Sequence, residues 1–93
     1  EIDTGISGRI AQKVGTALKS LASYHQIIAI THLPQIAAMA DTHYCVEKKY
    51  ENERVTSKIR RLSNEESLKE VAKLISGEDV TEESIKTARQ LIG

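Results

Sequence analysis

Gln26-Ile27-Ile28-Ala29-Ile30-Thr31-His32-Leu33-Pro34 is the stretch whose reading decides the fold. Its apolar residues run consecutively and do not alternate with polar ones. A short continuous run with polar residues at both ends reads as a strand buried on both faces, as in the interior of a parallel sheet. Pro34 breaks the run and suits the first turn of a helix, where its missing N–H is not needed. Leu33, Ile36, Ala37 and Ala40 then recur as the inner face of a short helix ending near Asp41. A buried strand feeding directly into a helix points to α/β architecture.

Working outward, Ile10, Ala11, Val14, Ala17, Leu18, Leu21 and Ala22 return at three- and four-residue steps. That spacing predicts an amphipathic helix from about Gly8 to Ser23, with Ser7 as its N-cap. Downstream, 43–50 alternates, with Tyr44, Val46, Lys48 and Tyr50 on one face, and 55–62 alternates with Val55, Ser57 and Ile59 on one face. Glu51-Asn52-Glu53-Arg54 between them reads as the tip of a hairpin. Ser63-Asn64-Glu65-Glu66 is a capping box ahead of the stripe Leu68, Val71, Ala72 and Ile75, and Gly77 is the expected stop. Thr81 is expected to cap a last helix with Ile85, Ala88 and Ile92 inward, Val80 and Ile85 forming a hydrophobic staple. No repeat or linker divides the 93 residues, so one domain or a piece of one is expected. The buried strand needs neighbours on both edges. Only 43–50 offers one, so the other is expected upstream.

Thirteen basic and thirteen acidic residues balance, so the net charge calls for neither nucleic acid nor an anionic membrane. Cys45 is the only cysteine, which excludes an internal disulfide and fits a reducing compartment. No leader and no apolar run of about 18 residues is visible, so a cytoplasmic protein with no membrane contact is expected.

His32 is the most suggestive single residue, because ligand groups in open α/β sheets lie just beyond the C-terminal ends of strands. A histidine there can donate to a phosphate; equally, it can be a polar residue closing a strand. Glu1 and Asp3 occupy the kind of acidic loop that positions water or metal in phosphoryl transfer. Without an upstream strand they read rather as two solvated loop acids. Gly5 and Gly8 lack the Gly-Lys-Ser/Thr ending of a P-loop and are expected to serve a tight loop and helix entry. His25, His32, His43 and Cys45 match no common zinc spacing, and Cys45 in an alternating strand reads as packing rather than as a nucleophile. Lys48, Lys49, Arg54, Lys58, Arg60 and Arg61 could touch a nucleic-acid backbone. The interleaved Glu47, Glu51 and Glu53 favour a solvated strand face instead.

Glu1-Ile2-Asp3-Thr4-Gly5-Ile6-Ser7-Gly8-Arg9, taken with Ile30-Thr31-His32-Leu33-Pro34-Gln35-Ile36-Ala37-Ala38-Met39-Ala40-Asp41, resembles the C-terminal end of the RecN family. These are bacterial double-strand-break repair ATPases related to the structural-maintenance-of-chromosomes (SMC) proteins. The resemblance runs along the whole chain, with Thr31 to Gln35 followed by Ala40-Asp41 its most specific part and 63–93 its least diagnostic. It implies the C-terminal portion of an ABC/SMC-type P-loop ATPase head, with parallel strands and a β-hairpin flanked by about four helices. Residues 1–8 would be the Walker B end and D-loop, 31–35 the switch (H-loop) region and 63–93 the C-terminal helices. By the same resemblance, Glu1 matches the catalytic glutamate that serves the attacking water, and His32 matches the histidine at the γ-phosphate. Asp3, Thr4, Gly5, Ser7 and Gly8 match the D-loop that contacts a partner head. Ser7 stands where many relatives carry a D-loop aspartate, which departs from the pattern.

The implied cofactors are ATP and Mg²⁺, held by the parent protein rather than by this chain, which contains no metal ligand set. P-loop, Q-loop, signature motif and Walker B aspartate are all missing from the 93 residues. The expected partners are the N-terminal half of the same head, a second head in an ATP-dependent dimer, and DNA. The expected location is the bacterial cytoplasm, at the nucleoid. Alone, the chain is expected not to hydrolyse ATP. Two other classes stay open: a non-catalytic α/β interaction module, and a nucleic-acid-binding fragment that uses the basic hairpin.

Overall fold

The computed structural model describes residues 8–93. Within it, α1 spans Gly8–Leu21, α2 Pro34–Ala37, β1 Tyr44–Glu51, β2 Arg54–Arg61, α3 Asn64–Ser76 and α4 Glu82–Ile92. The expected Ser7 cap falls outside the described residues.

Local chemistry explains most of these boundaries. At the start of α3 the capping box closes in both directions: Glu66 N–H donates to Ser63 Oγ (3.2 Å) and Ser63 N–H donates to Glu66 Oε1 (3.0 Å). Gly77 ends α3 at φ 83°, in the left-handed region that glycine enters without steric penalty, and its N–H donates to Lys73 O. Thr81 caps α4 in the same reciprocal way with Ser84, at 2.9 and 3.0 Å. Serine at the third helical position does the work more often given to Glu or Gln.

β1 and β2 form a two-stranded antiparallel hairpin, with Tyr44 opposite Arg61, Val46 opposite Ile59 and Tyr50 opposite Val55. The two-residue turn puts Asn52 at φ 47° and Glu53 at φ 63°. Two successive positive φ values give a turn whose twist matches that of the flanking strands.

The core is small. Ala38, Val71, Ala72 and Ala88 are buried together, with Ala37, Leu68, Ile75, Ile85 and Leu91 packed around them. α3 and α4 therefore meet as the spacing predicts, except that Leu91 packs inward and Ile92 is 39% exposed. α2 is the bridge: it packs on α1 and also touches α3 and α4. The α1–α2 approach rests on Gly15, where an added Cβ would sit 3.1 Å from Gln35 O, 3.1 Å from Met39 Cγ and 3.5 Å from Ile36 Cα. Only a residue without a side chain allows α2 that close.

The described residues do not show the parallel strands expected from the sequence. Residues 26–31 lie outside any helix or strand, and Ile28 and Ile30 are 87% and 73% exposed. The only strand pairing among the described residues is β1 with β2. An isolated strand leaves its N–H and C=O groups without ladder partners, and two apolar faces need a layer on each side. The described residues supply neither. The hairpin has a similar shortage on one face, where Tyr44, Val46, Tyr50, Val55 and Ile59 are 58–80% exposed. The accessible surface is 7342 Å², about 2,000 Å² more than a compact monomer of this mass exposes. The mixed α/β class holds, with one antiparallel hairpin and four helices among the described residues.

Candidate functional site

Of the residues singled out by sequence, Glu1, Asp3, Thr4, Gly5 and Ser7 lie outside the described residues; Gly8 and His32 lie within them. Gly8 opens α1. His32 is exposed in the connection between α1 and α2, two residues before Pro34. Its backbone setting is well defined. Leu33 N–H donates to Thr31 Oγ1 (3.0 Å), Leu33 is extended at φ −95°, ψ 125°, and Leu33 O accepts from Ile36 and Ala37 as α2 begins. The hydroxyl at Thr31 and the proline at Pro34 thus hold the His32 loop from both sides.

Gly8, a described residue of the first stretch that carries the resemblance, meets Gln35 of the second. Gln35, three residues after His32, lays its side-chain amide on the first residue of α1, with Nε2 3.0 Å from where a Cβ on Gly8 would stand. Its Oε1 is buried and has no hydrogen-bond partner. Gln35 stood out only as the last residue of the 31–35 switch region that the resemblance implies, and Gly15 did not stand out. An isolated glycine inside a helical pattern was the available signal for Gly15, because it weakens the helix unless something packs there.

His43 ties the hairpin base to α2: its Nε2 lies 2.5 Å from Ala37 O, and its own carbonyl accepts from Leu62 N–H at 2.9 Å. With the proton on Nε2, the ring is a donor to a helix C-terminus, which is a structural use. No group of three His, Cys, Asp or Glu among the described residues is placed to hold a metal ion. Cys45 is half-buried, and burial, with Glu70 and Glu47 adding to it, pushes its thiol above the ordinary value. A protonated, partly buried thiol is a poor nucleophile.

Two of the basic hairpin residues face acids across the ladder. Glu47 stands opposite Lys58 and Glu51 opposite Arg54. Arg60 donates to Glu47 (3.3 Å) and to Glu66. Hydrogen bonding to Arg60 first, then to Ser63, lowers the Glu66 carboxyl to about 2. The hairpin's acids offset part of its positive charge, three of them against six basic residues. A separate open hollow of about 340 Å³ lies along α1 between Arg9, Gln12, Lys13 and Thr16. No helix of the described residues is long and apolar enough to cross a membrane.

No family model matches the chain. Individual curated proteins do. The chain is 42% identical over 92 residues to the DNA repair protein RecN of Halalkalibacterium halodurans, 39% to that of Bacillus subtilis and 44% to that of Rickettsia prowazekii. Each match covers 99% of this chain and 16–17% of the relative, so the chain spans about one sixth of the length of the proteins it matches. Along nearly its whole length, this chain is homologous to the C-terminal portion of RecN.

Proposed function

We propose that the chain is the C-terminal part of an SMC-like ATP-binding head in a DNA double-strand-break repair protein, completed by the N-terminal half of the same head. The observation that carries this reading is the meeting of Gly8 and Gln35. It brings Gly8, the first described residue of α1, and Gln35, three residues past His32, to one place, although more than twenty residues separate them in sequence. Exposed Ile28 and Ile30 support it as well, since an apolar stretch flanked by helices is what a strand of an incomplete parallel sheet leaves uncovered.

Phosphoryl transfer requires positioning and charge stabilisation more than covalent chemistry. In this reading Glu1 orients the attacking water, and His32, exposed before α2, donates to the γ-phosphate of ATP. Asp3, Thr4, Gly5, Ser7 and Gly8 contact a second head. Mg²⁺ would be held by the rest of the head. DNA acts on the whole protein, at the nucleoid, and the isolated chain turns over no ATP.

The test is Glu1→Gln in the full-length protein. ATP binding is expected to persist while turnover falls by about 100-fold, the range for loss of a positioned acid–base group. Near wild-type hydrolysis would refute the role of Glu1. A non-catalytic interaction module is the second reading, favoured by the exposed Tyr44, Val46, Tyr50, Val55 and Ile59. Unchanged turnover in both Glu1→Gln and His32→Ala would favour it over the ATPase.

A further inference from the structure

The two faces of the hairpin differ in kind. Successive residues of a strand point to opposite sides, and residues opposed across an antiparallel ladder point to the same side. One side therefore carries Tyr44, Val46, Lys48 and Tyr50 of β1, with Arg61 and Ile59 of β2 opposite Tyr44 and Val46. The other side carries both acids of the ladder, Glu47 and Glu51, and turns toward α3, where Arg60 bridges Glu47 and Glu66. Glu53, the third acid of the hairpin, sits in the turn. Acids and bases interleave along the sequence, but the pleat separates them: the first side holds Lys48, Arg61 and no acid.

This acid-free side is the one open to solvent. Tyr44 is 62% exposed, Tyr50 80% and Ile59 72%. Among the described residues, no ion pair engages Lys48 or Arg61. Two of the chain's three aromatic side chains stand here. They lie six residues apart along β1, about 20 Å, with Lys48 between them. That separation is too long for one base to touch both rings, so each ring is free to take its own. A lysine in the middle of the patch weighs against a protein partner. Interface cores are depleted in lysine, and burying its ammonium without an acid opposite is costly. The same lysine suits a run of phosphates passing tyrosines whose rings take bases. A duplex keeps its bases paired and stacked, so the rings favour an unpaired strand.

We propose that the outward face of the hairpin is a binding site for single-stranded nucleic acid. Tyr44 and Tyr50 each stack a base, Lys48 and Arg61 contact the phosphates, and Val46 and Ile59 form an apolar floor. Stacking accepts any base, so the site has little sequence preference. The proposal does not need the ATPase reading. It places one contact with nucleic acid on described residues of this chain, whether or not the completed head turns over ATP.

The test uses the full-length protein and a labelled 20-nucleotide oligo-dT, followed by fluorescence anisotropy without ATP. Tyr44→Ala and Tyr50→Ala are each expected to weaken binding at least five-fold, the lower end for loss of one stacked base. Tyr44→Phe and Tyr50→Phe keep the ring and are expected to stay within two-fold of wild type. Lys48→Gln combined with Arg61→Gln is expected to reduce the slope of log K against log salt by about 1.4, two single-strand phosphate contacts. Absence of oligo-dT binding by the wild type, or unchanged affinity in both alanine variants, overturns the site. Equal loss in the Phe and Ala variants overturns stacking, and an unchanged slope overturns the phosphate contacts. If Tyr50→Ala lowers the Tm of the full-length protein by more than about 5 °C, the face is packed against protein, which also overturns the site. A wild-type protein that hydrolyses no ATP defeats the head reading, while these titrations still decide the hairpin.

Discussion

Gly15→Ala isolates the contact on which the helical half of the molecule depends. In an unobstructed helix the change stabilises by about 0.5–1 kcal/mol, because glycine loses more backbone freedom on folding than alanine. At this position the new methyl would lie 3.1 Å from Gln35 O and 3.1 Å from Met39 Cγ. Met39 is a flexible thioether and can turn aside. The Gln35 carbonyl cannot, because it belongs to the backbone of α2, and α2 is held by Ile36 against α1 and by Ala37 and Ala38 against α3 and α4. Relief requires α2 to move a few tenths of an ångström away from its neighbours. Overpacking of that kind costs about 1–3 kcal/mol, so the net effect is a loss of about 1 kcal/mol instead of a gain. For a chain of this size that lowers Tm by about 4–8 °C. Urea unfolding followed by circular dichroism measures it, with Ala17→Gly on the exposed side of α1 as the reference for helix propensity alone. A Gly15→Ala protein more stable than wild type by 0.5 kcal/mol or more would refute the close packing of α1 on α2.

Two further predictions follow from other parts of the fold. Glu66 titrates at about 2 when folded, against 4.5 ordinarily, so its contribution is complete above the ordinary value and is lost as pH falls through 4.5 toward 2. Urea midpoints measured from pH 7 to pH 2 should drop in that window, and Arg60→Ala should flatten the drop by removing the main cause of the shift; an identical pH profile in the variant would count against the ion pair. Ile28→Lys is expected to leave the unfolding of the isolated chain within about 0.5 kcal/mol of wild type, since Ile28 is 87% exposed. The same change in the full-length protein should destabilise it by about 2 kcal/mol or more if 26–31 is buried there; equal, small effects in both settings would exclude a buried strand.

Much of the local architecture could be read from residue order. The capping box at Ser63, the Gly77 stop and the Thr81 cap are satisfied within a few residues of themselves, so no distant contact can override them. The hairpin is equally local: two alternating runs joined by Asn52-Glu53 have one register that pairs all eight residues of each strand. Residues 26–31 were not legible in the same way. The apolar run identifies a segment that belongs inside a sheet, but a strand exists only when other strands pair with it. The described residues contain none in position to do so. His32 could be singled out from its place at the end of that run. The contact of Gln35 with α1 could not, because a glutamine at the start of a helix looks solvated until the neighbouring helix is in place.

What sequence alone determined here are the helices, their caps, the hairpin and the homology to RecN, all consequences of short-range hydrogen bonding, periodicity and residue identity. Only the tertiary structure decided that α2 lies across α1 on Gly15 and Gly8, and that a Gln35 oxygen is buried there without a partner. Such facts depend on the distance between segments far apart in the chain. That distance is set by which side chains leave room for a neighbouring backbone, and no single segment carries the information.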